Sequence, residues 1–165
     1  YEKKAERVEE KRKVIQFMPA IDNKVFIVHG HDEGILRELK ELLDKNFKVN
    51  PIILRDEIDI GKTLIEKFEH YGRLTAFTFV IVTPDDLVKN KKMKSFQARP
   101  NVLFELGWFC GRLGRPNVRI IRKKDTPLPS DLNGIVTLDF NERVEELYLK
   151  IKTDLETANL LRHMA

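Results

Sequence analysis

The sequence predicts an α/β fold, a three-layer sandwich in which helices cover both faces of a five-stranded parallel sheet. Short runs of β-branched residues alternate with helical patterns from Lys24 onward, as in repeated βαβ units. The run Phe77-Thr78-Phe79-Val80-Ile81-Val82 is apolar at nearly every position, which suits a central strand buried on both faces. With 165 residues, 42% of them hydrophobic, the chain is long enough for one such domain and too short for two.

Taken in order, Lys24 to His29 reads as the first strand, and Ile35, Leu36, Leu39, Leu42 and Leu43 recur at helical spacing after it. Residues 49–54 make the second strand, and Pro51 within it argues for a sheet edge, because proline cannot donate to a ladder. Thr63 caps a helix bearing Leu64, Ile65 and Phe68, with Glu66 completing a capping box. After the central strand, a long lysine-containing loop leads to a helix over 102–113, closed by Gly114. Residues 118–121 and 135–140 supply the fourth and fifth strands, and 142–161 the last helix. This succession suits a flavodoxin-like sheet ordered 2-1-3-4-5, with a ligand crevice where the carboxyl ends of strands one and three diverge.

Residues 1–22 are densely charged and read as a linker helix of a longer protein, ahead of a domain over 23–165. The net charge of +4 comes from 30 basic and 26 acidic residues, with the surplus in local runs such as Lys89 to Lys94. No spaced aromatics accompany these runs, so they read as solvated faces and not as a nucleic-acid groove. The single cysteine, Cys110, allows no intrachain disulfide or Cys-based metal site, and a cytoplasmic setting is expected. No segment has the length and apolarity of a membrane span.

Chemistry concentrates in Arg99-Pro100-Asn101-Val102-Leu103-Phe104-Glu105-Leu106-Gly107-Trp108. The helix is apolar on nearly every side, so it is expected to be largely buried, and Glu105 is its only acid. A carboxylate so placed must be paired, neutralised or used, since an unpaired buried charge costs several kcal/mol. A structural alternative is a glutamate near the helix N-terminus, favoured by the dipole and tied to Arg99 or Arg112. Trp108 and Phe109 follow Glu105 at helical spacing; an aromatic beside a carboxylate suits a flat cationic ring on a sugar, and core packing is the alternative.

Two loops complete the candidates. His29-Gly30-His31-Asp32-Glu33-Gly34 sits where doubly wound folds bind phosphates, with glycines for close approach and a helix N-terminus for an anion. Asp32 also reads as a helix cap. The two histidines lack a third nitrogen or sulfur ligand nearby, so no metal is expected. The loop is neither a Gly-x-Gly-x-x-Gly fingerprint nor a Walker-type phosphate loop. The charged stretch Asp56, Glu57, Ile58, Asp59, Ile60, Gly61 and Lys62 is longer than a turn needs. It is expected to be a movable assembly element, with a positive φ or hinge at Gly61.

Together, His29-Gly30-His31, Gly61 to Glu66, Val82-Thr83-Pro84-Asp85-Asp86 and Arg99 to Gly107 resemble the prokaryotic TIR-like domains found in bacterial anti-phage effectors, where they are fused to cyclic-nucleotide sensors. The resemblance covers residues 24–140 and implies NAD⁺ glycohydrolase activity switched on by self-association. It places the catalytic glutamate on Glu105, the nucleotide-facing loop on His29, Gly30, His31 and Asp32, and the mobile loop on residues 56–62. NAD⁺ is then substrate, with no further cofactor; Trp108 and Arg99 are expected to help bind it, and an upstream sensor domain is the expected partner. Non-catalytic adaptors share the fold. A receiver-like phosphotransfer domain built on Asp32 with Asp85 or Asp86 would need a Mg²⁺ cage and a lysine after the fifth strand, where Asp139-Phe140-Asn141 supplies none.

Overall fold

A computed structural model describes residues 23–90 and 93–161, with the segment 86–97 described by its backbone. Five parallel strands form the central sheet: β1 (Lys24–Val28), β2 (Asn50–Ile52), β3 (Phe77–Val82), β6 (Val118–Lys123) and β7 (Thr137–Phe140). Their order is β2-β1-β3-β6-β7, the expected 2-1-3-4-5 arrangement counted along the sheet. β2 lies at its edge with Pro51 opposite Val25, where a missing donor costs no ladder bond.

Alternation along the strands divides the core into two layers. Val25, Ile27, Phe77, Phe79 and Ile81 point to one face, covered by α1 (Glu33–Glu41) and α4 (Tyr148–Thr157). Phe26, Val28, Val80 and Val82 point to the other, covered by α2 (Leu64–Gly72) and α3 (Pro100–Leu113). All six residues of β3 are buried, as a strand roofed on both faces requires.

Local chemistry sets the helix ends. Asp32 Oδ1 accepts from the Ile35 N–H at 3.0 Å and caps α1. Thr63 and Glu66 form a reciprocal capping box on α2. Pro100 opens α3, where its missing N–H is not needed, and Gly114 at φ 79° ends it.

Several expectations are corrected. The lysine-rich segment is an antiparallel hairpin and not a loop, with β4 (Asp86–Asn90) paired to β5 (Met93–Gln97); its lysines and asparagine are poor strand formers and hide the strands from a propensity argument. Helix α3 is not largely buried: Val102, Leu106 and Phe109 are covered while Phe104 is exposed, since only one face meets the sheet. Leu64 and Ile65 are 73% and 53% exposed, because the capping box starts α2 one turn before the side chains that reach the core, Phe68 and Tyr71. The second strand stops at Ile52 and gives way to a 3₁₀ turn, Leu54–Asp56. The last helix starts at Tyr148 and not at residue 142, since Glu146 turns back to accept from the N–H groups of Asn141, Glu142 and Arg143. Those three bonds hold its carboxyl down at about 2. The proposed linker helix, residues 1–22, lies outside the described residues. Among the described residues, no helix is long and apolar enough to cross a membrane.

Candidate functional site

An open cleft of about 200 Å³ lies beside the carboxyl half of β1. Phe26, Ile27 and His29 form one wall, Leu54 and Arg55 of the turn after β2 another, Leu64 and Lys67 of α2 a third, and Glu105 of α3 closes it. Glu105 is half-buried, and its carboxyl has no ion-pair or hydrogen-bond partner among the described residues. Burial alone pushes its pKa up to about 7. The alternative tie to Arg99 or Arg112 is therefore not what positions it: Arg112 is exposed, and Arg99 turns its Nη1 onto His31 Nε2.

Asp85 stands at the crevice expected between the ends of β1 and β3. Asp85, just past β3, accepts from the His31 N–H at 2.8 Å through Oδ2 and from the Thr83 hydroxyl at 2.7 Å through Oδ1. The cleft described above lies one strand over, toward β2, and none of its lining residues comes from β3. Gly30 makes this close approach possible, because a Cβ there would sit 1.8 Å from Asp85 Oδ2. Gly30→Ala is accordingly expected to lower stability by about 1–3 kcal/mol, by driving the carboxylate off both partners. In an Asp85→Ala background the same change should cost far less. Urea unfolding of the four proteins checks this, and additive losses would refute it.

Of the candidates in the first loop, His29 alone lines the cleft, with Nδ1 2.9 Å from its neighbouring Gly30 carbonyl oxygen. Gly30, His31 and Arg99 cluster around Asp85, and Asp32 caps α1. Trp108 is not a wall of the cleft. Its indole packs edge-on against Phe68 at 4.9 Å and covers Gly72, whose absent side chain leaves the room. The ring thus lies in the packing between α2 and α3.

The loop of residues 56–62 is anchored at several points. Asp56 accepts from Lys40 at 2.8 Å, the Glu57 carbonyl from Lys67 at 2.7 Å, and the Ile58 carbonyl from the Tyr71 hydroxyl at 3.0 Å. Asp59 accepts from the Gly61 N–H at 3.2 Å, and Gly61 has φ 68°, the positive value expected of it. Ile60 is half-buried, Lys62 is exposed, and the Ile58 side chain is 78% exposed. Arg55 and Lys67 line the cleft and were not among the site residues expected from the sequence. Lys67 carried a usable signal, three residues after the cleft-lining Leu64 on the same helical face.

Residues 24–142 match the family described as "CAP12/Pycsar effector protein, TIR domain". The chain is 40% identical over 124 residues to an uncharacterized protein, YuaY, of Escherichia coli, covering 74% of this chain and 41% of that protein. It is 37% identical over 138 residues to protein tirC of Dictyostelium discoideum, covering 75% and 67%. With CD-NTase-associated protein 12 of Sphingobacterium faecium it shares 33% over 118 residues, covering 71% and 36%. It thus spans well under half the length of two of these relatives.

Proposed function

The chain belongs to the TIR-domain family of CAP12/Pycsar effectors, and from that premise we propose that it hydrolyses the nicotinamide–ribose bond of NAD⁺ as the effector of an anti-phage signalling system, downstream of a sensor. One observation carries the reading: a single unpaired carboxylate, Glu105, set by burial into a cleft walled by Arg55, Lys67 and His29. The separation of charge suits a dinucleotide, whose diphosphate is anionic and whose nicotinamide ring is cationic.

The C1′–N bond breaks with its electron pair leaving on the ring nitrogen, so nicotinamide departs neutral and no general acid is required. A lone carboxylate therefore suffices, unlike the acid and base pair of ordinary glycosidases. Glu105, ionised, stabilises the oxocarbenium-like ribose as charge develops. Water then adds at C1′, and its proton passes to Glu105, whose raised pKa suits it to accept one near neutrality.

Self-association raises activity in this reading, supported by the exposed apolar side chains of Ile58, Leu64 and Ile65 in the loop and first turn beside the cleft. The test is chromatography of NAD⁺ incubated with the chain at increasing concentration, and with the chain clustered by a fused oligomerising domain. Nicotinamide should appear together with linear or cyclised ADP-ribose, at a specific activity that rises with concentration. No nicotinamide at any concentration or in the clusters overturns the hydrolase; activity that stays flat on dilution overturns the role of assembly.

A further inference from the structure

Arg55 is a cation of the cleft that already holds an anion. Its Nη1 and Nη2 donate to Glu33 Oε1 and Oε2 at 2.5 and 2.6 Å, the two-pronged geometry with which a guanidinium binds carboxylate or phosphate alike. Glu33 comes from the first turn of α1, on the other side of β2 in sequence, and Asp56 Oδ1 stands 3.7 Å from Arg55 Nε. Lys67, the other cation of the cleft wall, is engaged differently: its Nζ donates to the Glu57 carbonyl and helps hold the loop.

Resting on the assignment of the cleft to a dinucleotide, we propose that Arg55 receives the substrate's diphosphate and that Glu33 is a built-in competitor for the same guanidinium. The pair is exposed on both sides, so it contributes little to stability and opens readily. A carboxylate offers one negative charge to the fork, whereas a diphosphate offers two with the same oxygen geometry. Until ligand arrives, Glu33 keeps Arg55 occupied, and apparent affinity falls by the fraction of time the bridge is closed. The competitor thereby sets how much dinucleotide the domain needs.

The opposite role for Glu33, holding Arg55 in place for the ligand, predicts the opposite sign, so one substitution separates them. Titration calorimetry with ADP-ribose, which carries the diphosphate and needs no cleavage to bind, is applied to the chain and to Glu33→Gln, Arg55→Gln and the double variant. Glu33→Gln should bind about three- to fivefold more tightly, Arg55→Gln about tenfold or more weakly, and the double variant should match Arg55→Gln. Both side chains are exposed, so each variant should melt with the parent. Weaker binding by Glu33→Gln, or equal binding by all four, overturns the proposal even where NAD⁺ is cleaved. The predicted order of affinities in a chain that never releases nicotinamide would instead uphold this assignment and remove the hydrolase.

Discussion

Glu105→Gln is expected to abolish nicotinamide release, by at least about a hundredfold, while making the domain more stable at pH 8. The amide keeps the shape of the side chain and loses the charge that would stabilise the oxocarbenium. The gain in stability follows from the raised pKa. In the unfolded chain the carboxyl titrates near 4.5, in the fold at about 7, so the folded state disfavours the ionised form. That penalty is absent below about pH 4.5, grows between the two values and is complete above pH 7. It amounts to at most about 3 kcal/mol, and less after solvent screening at the open mouth of the cleft. Melting curves should therefore show the variant several degrees above the parent at pH 8 and level with it near pH 4.5. In the parent chain, kcat/KM for the proposed cleavage should rise about tenfold between pH 6 and pH 8 as Glu105 ionises. Parental turnover in a folded Glu105→Gln protein would remove the carboxylate from the chemistry; an unchanged or lowered melting temperature at pH 8 would show that the side chain is not strained by burial.

The second large effect lies away from the cleft. Arg119 of β6 is nearly buried, with its Nε 2.8 Å from Asp154 Oδ2 of α4, its Nη1 donating to the Pro116 and Val118 carbonyls, and its guanidinium 5.4 Å from the Phe77 ring centroid. Asp154→Ala leaves that guanidinium without its counter-charge in a closed layer and should cost about 3 kcal/mol in urea unfolding. Replacing both residues together, Arg119→Met with Asp154→Leu, should recover most of the loss, because a buried ion pair is costly to break and nearly dispensable when removed whole. Arg119 lies near the start of β6 and the cleft beside the carboxyl half of β1, so NAD⁺ cleavage per folded molecule should not change. A loss below about 0.5 kcal/mol for the single variant, or one as large for the pair, would show that the charges are not coupled as the geometry requires.

Much of this was legible because its causes are local. The Asp32 and Thr63 caps, the positive φ of Gly61, the edge position implied by Pro51 and the two-faced burial of β3 each depend on a few neighbouring residues. Glu105 stood out for a similar reason, as the one acid in an apolar helix. Signals failed where a local pattern had two outcomes: lysine-rich strands resembled a loop, and an apolar helix resembled a fully buried one although only one face is covered.

The sequence by itself determined the succession of the helices and of the five strands of the main sheet, their order and the identity of the candidate carboxylate, since periodicity, capping and backbone constraint act within a turn or two of chain. Only the tertiary structure decided what stands beside that carboxylate. Arg55, Lys67 and His29 reach one cleft from three segments of the chain, Asp85 and Arg99 meet at His31 beside it, and Trp108 is drawn into the seam over Gly72. Those placements follow from how helices pack on a twisted sheet, where side chains distant in sequence compete for the same volume, and no spacing along the chain encodes the winner.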